Sequence, residues 1–196
     1  MTRARMLRLL VVGAGGHGRS VAEAVLAGGT YEVAGFVDDA APGIVQVGGY
    51  PVLGTTDDVS AYRAQAEVAI VAMGNNVLRE ALCNKLLAAG FELATVVHPR
   101  AIVSPSAVVG PGSAIMAGAV LGSESRLGLG VIVNCGAVVD HDAQVLDYGH
   151  LGVNASMSGG SVLGRSAWMQ AGSALSYGVK VGVGVVLQAG MAMSAS

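Results

Sequence analysis

The second half of the chain repeats a six-residue pattern of small, variable and large aliphatic positions. Residues 101–196 divide into sixteen hexads without an insertion, and the third position of every hexad is Val, Ile, Leu or Met. The first position is mostly Ala, Ser or Gly, and the fourth is Gly in six hexads. Because side chains alternate across a strand, the first and third positions would point inward and the second outward. The pattern therefore predicts short strands, joined by glycine-rich turns, that stack about 4.8 Å apart into a solenoid.

This repeat resembles that of the hexapeptide-repeat, left-handed β-helix proteins, in which three hexads close one triangular coil and residue i stacks on residue i+18. On that geometry the outward second positions sort onto three faces. The first face carries Ile102, Val120, Val138, Ser156, Ala174 and Ala192, the second face carries Val108, Arg126, Gln144, Val162 and Lys180, and the third face carries Ala114, Ile132, His150, Trp168 and Val186. Only the second face is polar, and a monomer rarely exposes two apolar faces. We therefore predict a homotrimer in which the first face of one subunit meets the third face of its neighbour.

The first half of the chain alternates between strand and helix patterns. The predicted strands are Leu7–Val12, Glu32–Val37, Glu67–Met73 and Glu92–Val97, and the predicted helices are Arg19–Ala27, Asp57–Gln65 and Asn76–Ala89. This alternation predicts an α/β, Rossmann-like small parallel sheet with crossover helices. The predicted domains are therefore a Rossmann-like domain at 1–97 and a left-handed parallel β-helix at 98–196.

A glycine-rich turn, Gly13-x-Gly15-x-x-Gly18, follows the first predicted strand and opens the first predicted helix. Such a turn lets backbone amides approach a phosphate group at a helix N-terminus. Asp38 and Asp39 end the second predicted strand, where a carboxylate can bond a ribose hydroxyl. The sequence thus favours nucleotide binding, with a tight packing turn that holds no ligand as the alternative. A dehydrogenase is not expected, because the sheet is about half the size of a full dinucleotide fold.

Composition and charge exclude several classes of function. The net charge of −2 gives no footprint for a nucleic acid. Cys83 and Cys135 are too few for a disulfide scaffold, which fits a reducing cytoplasm. The basic start of the chain runs into a strand pattern without a signal cleavage site, and no run of about 18 apolar residues predicts a membrane span. The four histidines lack zinc-ligand spacing, so no metal site is expected, which argues against the γ-class carbonic anhydrases.

Candidate chemistry lies in the hexad AVVDHD, which brings Asp140, His141 and Asp142 to one corner of the solenoid. Histidine can accept a proton near neutral pH, and an adjacent carboxylate can orient it and stabilise its cation. One coil away on either side lie Ser123 and Gly159, so the imidazole would sit in a notch. The amides of Gly159 and Gly160 could then bind an acyl oxygen. The alternative is a polar corner that only meets water.

A second histidine belongs to the trimer prediction. If the third and first faces meet near the three-fold axis, His141 of one subunit and His150 of its neighbour line one cleft between subunits. The alternative for His150 is an interface histidine whose ring is satisfied by a backbone carbonyl.

Nearly the whole chain resembles the bacterial sugar acyltransferases of the sialic acid O-acetyltransferase type, which include the N-acetyltransferases of bacillosamine and perosamine synthesis. The segments that carry this resemblance are VVGAGGHGRSVAE, GFVDD, VAMGNNVLRE, VVHPRAIVSPSAVVG and NCGAVVDHDAQVLDYGHLGVNASMSGG. The last is the most specific, because it combines Asn134, His141, Asp142 and His150 at the spacing of the family.

The resemblance implies a role for each matching residue. The matches of Gly15, His17, Asp38 and Asp39 lie at a nucleotide-sugar pocket, and His141 is the general base with Asp142 in support. His150 lies at the subunit boundary, Gly159 lies near the thioester of acetyl-CoA, and Asn134 and His150 are expected on the coenzyme side.

The implied reaction is direct acetyl transfer from acetyl-CoA to a nucleotide-linked amino sugar in glycan biosynthesis, without a metal or an acyl-enzyme. O-acetylation of a sialic acid or a related sugar and a non-catalytic nucleotide-binding trimer remain alternatives. Relatives usually continue past the last coil into a tail that borders the coenzyme site, whereas this sequence ends at MAMSAS. We therefore expect either weakened coenzyme binding or a shortened chain.

Overall fold

The computed structural model of the chain describes residues 5–57 and 59–194. The first part is a six-stranded, mostly parallel sheet in the order β3-β4-β2-β1-β5-β6. Its elements are β1 (Leu7–Val12), α1 (Gly16–Gly28), β2 (Tyr31–Val37), β3 (Gln46–Val47), β4 (Tyr50–Gly54), a 3-10 helix (Val59–Ala64), β5 (Val68–Val71), α2 (Asn76–Ala88) and β6 (Glu92–Leu93). The Rossmann-like α/β prediction is thereby confirmed.

Two local predictions differ from the structure, and one pair of strands was not predicted. The predicted strand Glu92–Val97 is wrong as one element, because the backbone leaves the first sheet after β6 and β7 (Val96–Val97) pairs with the solenoid instead. The predicted helix at 57–65 is a 3-10 helix in which only Val59 is buried, so it has no apolar stripe to support an α-helix. Asp58 lies outside the described residues. The antiparallel pair β3 and β4 was not predicted, although its Gly48-Gly49 turn is a typical hairpin signal.

The remaining strands form the predicted solenoid. Each hexad contributes a two-residue strand at its second and third positions, and each strand pairs in parallel with the strand eighteen residues on, as in Ile132↔His150. The first-face strands are β8 (Ile102–Val103), β11 (Val120–Leu121), β14 (Val138–Val139), β17 (Ser156–Met157), β20 (Ala174–Leu175) and β23 (Ala192–Met193). The second-face strands are β9 (Val108–Val109), β12 (Arg126–Leu127), β15 (Gln144–Val145), β18 (Val162–Leu163) and β21 (Lys180–Val181). The third-face strands are β10 (Ala114–Ile115), β13 (Ile132–Val133), β16 (His150–Leu151), β19 (Trp168–Met169) and β22 (Val186–Leu187), preceded by β7.

The three sheets enclose one aliphatic core, as expected for a left-handed parallel β-helix. Third-position side chains such as Leu121, Val139 and Leu163 have at most 1% of their surface exposed. Since each buried aliphatic side chain contributes about 1.5–3 kcal/mol, the regular hexad is the main source of stability in this half.

Glycine serves two different purposes in the turns. The sixth position of each hexad from Gly112 to Gly190 has a φ between 54° and 73°, the left-handed region that glycine tolerates best. The fourth-position glycines have no such backbone. Instead a Cβ at Gly122 would lie 2.7 Å from the backbone nitrogen of His141 in the next coil. Close coil stacking, rather than strain, therefore requires glycine at that position.

The third face is covered by the first part of the same chain. Ala114 and Met116 belong to the same apolar cluster as Leu9 and Val11 of β1, and His150 is 6% exposed. Over these coils the third face therefore meets the first part of the same chain, while Val186 at its far end stays 43% exposed. The first face keeps its apolar side chains exposed or half-buried, with Ile102 67% exposed.

A buried arginine joins the two parts. Arg79 of α2 is fully buried, and its Nε donates to the carbonyl of Gly130 at 2.7 Å. Its terminal nitrogens donate to the carbonyls of Met73 and Tyr148, at 2.9 and 2.6 Å, and to Oδ1 of Asn76 at 2.9 Å. The pKa of Arg79 is lowered to about 10 by burial. The guanidinium is thus held by oxygen dipoles without a carboxylate among these partners, and it fixes α2 on the solenoid.

Candidate functional site

His141 stands at the corner between the first and second faces, here called the His141 corner. Its position-five column runs through Ser123, His141, Gly159 and Tyr177, each eighteen residues apart. The imidazole Nδ1 lies 2.8 Å from Oδ2 of Asp142, and its Nε2 lies 4.0 Å from Oδ2 of Asp140. The predicted pairing of His141 with an adjacent carboxylate is present in the structure.

The electrostatics of the corner favour a basic imidazole. The hydrogen bond to Asp142 raises the pKa of His141, and the charge of Asp140 raises it further. Since an ionised carboxylate only accepts hydrogen bonds, Nδ1 carries the proton and Nε2 has its lone pair free. Asp142 takes up a left-handed backbone, with a φ of 58°, which turns its side chain back toward the preceding ring. An imidazole held in this tautomer can accept a proton at Nε2.

Gly159 forms the floor beneath the imidazole. A Cβ at Gly159 would lie 2.5 Å from both Cε1 and Nε2 of His141, so the predicted notch exists only because this residue has no side chain. Within the described part of the chain, the Gly159 amide donates to no protein acceptor. The Gly160 amide is different, because it donates to the carbonyl of His141 at 3.0 Å. Gly159 therefore remains the candidate for an acyl-oxygen donor, while Gly160 is engaged in the coil ladder.

One aromatic side chain at this corner was missed from the sequence. The ring centroid of Tyr177 lies 6.3 Å from that of His141, with 47° between the planes. Tyr177 is 70% exposed. The signal was available, since Tyr177 follows His141 by 36 residues and so occupies the same column two coils on.

The glycine-rich turn lies at the carboxyl end of β1, where the first sheet opens. Gly13 has a φ of 109°, and a Cβ at Gly18 would lie 1.9 Å from the Gly13 carbonyl, so these two glycines serve tight packing. Gly15 is exposed with open space around its Cα, and it precedes α1, which has no side-chain cap. Gly13 and Gly18 thus fit the interpretation as a tight packing turn. Gly15 fits the nucleotide-binding interpretation, because it leaves the N-terminal amides of α1 accessible to an anion.

The two aspartates beside the turn first support the backbone. Asp38 accepts hydrogen bonds from the amides of Ala14 and Ala40, at 2.7 and 2.9 Å. Asp39 is exposed and accepts the Thr56 amide at 2.7 Å, and this bond lowers its pKa. Asp38 therefore ties the turn to the end of β2, and any ribose contact would use its remaining lone pairs.

His17 and His150 lie near each other between the turn and the third face. His150 Nδ1 lies 3.3 Å from the Gly74 carbonyl, and its ring stacks on Trp168 with a centroid separation of 5.4 Å. Burial lowers the pKa of His17 to about 4 and that of His150 to about 3, and the charge of Arg79 lowers both further. Both rings are therefore neutral at physiological pH. His17 Nε2 is buried without a protein partner, so it can serve a ligand.

The structure does not bring all of the predicted residues together. Asn134 lies at the corner between the third and first faces, where its Oδ1 accepts the Cys135 amide at 2.8 Å, so β14 separates it from His141. Likewise the glycine-rich turn and His150 lie on the third face, and the His141 corner is the edge of the triangle opposite that face. One chain therefore holds the two predicted half-sites on opposite sides of its solenoid.

The described ranges, 5–57 and 59–194, contain neither a cluster of metal ligands nor a membrane-spanning helix. No group of three or more His, Cys, Asp or Glu side chains in them could hold a metal ion. No helix in these ranges combines the length and apolarity needed to cross a bilayer.

Comparisons with known proteins agree with this architecture. The family described as the PglD N-terminal domain matches residues 8–86. The acetyltransferase domain of PglB from Neisseria gonorrhoeae, solved in complex with acetyl coenzyme A, is 38% identical with a TM-score of 0.88, over 97% of this chain and 94% of that chain. A point variant of perosamine N-acetyltransferase from Caulobacter crescentus, in complex with CoA and GDP-perosamine, is 34% identical with a TM-score of 0.83, over 94% and 90%.

WeeI from Acinetobacter baumannii shares the fold at 24% identity, with a TM-score of 0.69 and coverage of 94% and 92%. No curated protein matches the chain. The PglB domain and the perosamine enzyme both exceed 30% identity and span almost the full length of both chains, and the family resemblance predicted from the sequence is confirmed. The chain therefore belongs to the hexapeptide-repeat sugar acyltransferases whose N-terminal half is a PglD N-terminal domain.

Proposed function

We propose that the protein transfers the acetyl group of acetyl-CoA to the amine of a nucleotide-linked amino sugar, with His141 as the general base. The observation that carries this proposal is the His141–Asp142 pair above the bare floor of Gly159. The similar PglB domain is named for acetyl transfer and was solved with acetyl coenzyme A, and the similar perosamine enzyme is an N-acetyltransferase solved with GDP-perosamine. These names support the same pair of substrate classes here.

The residues of the corner account for the chemistry. His141 Nε2 accepts a proton from the sugar amine as the nitrogen bonds to the thioester carbonyl carbon. Asp142 stabilises the imidazolium that results, and the Gly159 amide is placed to donate to the oxygen on which negative charge develops. The carbon–sulfur bond then breaks, and the imidazolium returns its proton to the leaving thiolate, which gives an amide and a thiol. General base catalysis of this kind contributes roughly 10²–10⁴-fold in rate.

We further propose a homotrimer with composite active sites. The first coils of the third face are covered within the chain, so the contact predicted from the sequence is not its main support. The new support is the separation of the half-sites: direct transfer requires the sugar amine to reach His141, yet the glycine-rich turn lies across the solenoid from it. A neighbouring copy that brings its own turn to the His141 corner resolves this, and the exposed apolar first face offers a contact surface. Cys83 and Cys135 are free thiols, in keeping with the cytoplasmic location that remains a prediction.

The activity is tested by CoA release from acetyl-CoA against a panel of UDP- and GDP-linked amino sugars, with free and CMP-linked sialic acid alongside. We expect release with an amino-sugar nucleotide and its loss in His141→Ala. Turnover that survives in His141→Ala would remove the histidine from the mechanism. Release only with a sialic acid substrate would replace N-acetylation by O-acetylation.

Subunit complementation tests the composite site. His141→Ala removes the base, and Gly15→Glu places a negative charge at the proposed phosphate site, where open space and an ordinary φ of −74° accommodate a side chain. Each variant alone should be inactive. When the two are unfolded together and refolded, mixed oligomers should recover activity, because an intact turn and an intact histidine then meet at some boundaries. A stable monomer in light scattering, or no recovery, would contradict the composite site.

A further inference from the structure

The His141 corner has two aromatic walls and a floor of glycine. Tyr177 stands two coils beyond His141, and Gly159 and Gly160 lie in the coil between them. A Cβ at Gly160 would lie 4.0 Å from Cζ of Tyr177, so the phenol end of the ring reaches back over this glycine. The two rings therefore lean toward each other across a coil that has only glycine at the fifth and sixth positions of its hexad.

The reactive nitrogen of His141 faces this gap. Nδ1 is bonded to Asp142, and the Cε1–Nε2 edge of the ring lies against Gly159 on the side of the next coil. A group that gives its proton to Nε2 must come within about 3 Å of it. The reacting atoms consequently enter between the imidazole and the phenol.

The gap is slightly narrower than one thin group requires. A group in contact with both rings needs about 3.5–4 Å on each side, or roughly 7 Å between ring centres. The centroids of His141 and Tyr177 are 6.3 Å apart, with 47° between their planes, so the space is a wedge that narrows at one end. A thioester carbonyl with its methyl group requires only a small movement of the exposed Tyr177 ring, whereas a longer chain directed at Tyr177 would meet the ring face.

A cation lies in the same coil as Tyr177. Lys180 follows Tyr177 by three residues and is exposed on the second face. Coenzyme A is a polyanion, and its phosphates favour a route past Lys180. The acceptor sugar, by contrast, is tied through its nucleotide to the glycine-rich turn.

On the basis of the proposed function, we propose that Tyr177 determines the length of the acyl group. Its ring forms the outer wall of the acyl site and limits transfer to acetyl. The wall is made by the ring and not by the hydroxyl group, so phenylalanine serves equally well.

The test compares acetyl-, propionyl- and butyryl-CoA in the wild-type protein, Tyr177→Ala and the matched control Tyr177→Phe. One methylene in a pocket changes selectivity by roughly 10–200-fold. We therefore expect the ratio of kcat/KM for butyryl-CoA over acetyl-CoA to rise at least about tenfold in Tyr177→Ala and to stay within about twofold in Tyr177→Phe. The KM for the nucleotide sugar should change less than about twofold in both, since its nucleotide, the larger part of the substrate, is proposed to bind at the glycine-rich turn and not at Tyr177.

An unchanged acyl ratio in Tyr177→Ala, or a rise confined to the KM of the sugar, would overturn the inference while leaving acetyl transfer by the wild-type protein intact. If no acceptor sugar is found, calorimetry of acetyl- and butyryl-CoA binding to the same three proteins measures the same preference. Absence of both CoA release and acetyl-CoA binding in the wild-type protein would instead refute the proposed function, and this inference with it. Tyr177 is largely exposed, so both variants should fold, and the fluorescence of Trp168 checks this.

Discussion

Replacing Arg79 with alanine should weaken the contact between the first domain and the solenoid, and so lower the free energy of unfolding. The guanidinium makes four hydrogen bonds to oxygens of α2, of the segment before it and of the solenoid. At about 1.5–3 kcal/mol for each bond from a charged donor, the four together are worth roughly 6–12 kcal/mol. Burial lowers the pKa of Arg79 from 12.5 to about 10, which at 1.36 kcal/mol per pKa unit is an unfavourable contribution of about 3 kcal/mol.

The net contribution is therefore favourable. Arg79→Ala also leaves the carbonyls of Gly130 and Tyr148 without a partner. We expect the free energy of unfolding to fall by about 3–9 kcal/mol, which is the contribution of the four hydrogen bonds less the cost of burial. Arg79→Lys should lose less, because the charge remains but fewer donors reach their acceptors.

Urea denaturation measures this directly, because the only tryptophan of the chain reports on the same interface. Trp168 stacks on His150 beneath the first domain, so its fluorescence should change as α2 undocks. Arg126→Ala is the control, since that side chain is 59% exposed and lies 3.9 Å from Glu124, and it should shift the free energy by less than about 0.5 kcal/mol. If Arg79→Ala lowered the free energy of unfolding by less than about 1 kcal/mol and left Trp168 fluorescence unchanged, Arg79 would not be the main residue that holds the two parts together.

Three other predictions concern the site and its histidines. His141→Ala should lower kcat by roughly 10²–10⁴-fold. Asp142→Asn should lower the pKa of His141, so the acidic limb of the pH–rate profile should move to lower pH. A limb that stays in place would show that Asp142 does not raise the pKa of the catalytic group. Gly159→Ala should reduce kcat without unfolding the protein, because its Cβ would displace the imidazole; kinetics and circular dichroism check the two parts. Since the folded-state pKa values of His17 and His150 lie near 4 and 3, below the unfolded value of 6.5, protonation favours the unfolded chain. Stability should therefore fall by roughly 3–4 kcal/mol from pH 7 to pH 5, and equal urea midpoints at the two pH values would show that these rings are not buried in the neutral form.

Features that depend on local side-chain volume were predictable from the sequence. The hexad register follows from which positions tolerate large aliphatic side chains, and it places Gly159 beside His141 by counting eighteen residues. The same count would have found Tyr177. The notch, the carboxylate partner of His141 and the shape of the glycine-rich turn all follow from short-range spacing of this kind.

The docking of the first domain could not be predicted in this way. Arg79 and Asn76 bind backbone carbonyls of the solenoid, including those of Gly130 and Ser166, and a carbonyl oxygen has no sequence signature. The pattern of the third face predicted a subunit contact, whereas its first coils pack against the first part of the same chain. An outward apolar pattern indicates that a face is covered, but not by what.

The unbroken eighteen-residue register gives the solenoid the symmetry of a three-fold screw. The edge on which a residue lies is therefore set by its distance along the sequence. An insertion of six residues after His141 would add one strand and advance all that follows by a third of a turn, so that Gly159 and Tyr177 would leave the histidine for another edge. Only an insertion or deletion of eighteen residues would restore the phase, at the cost of one coil of about 4.8 Å in height. The solenoid can therefore lengthen or shorten only by whole coils of eighteen residues if His141, Gly159 and Tyr177 are to stay in one column.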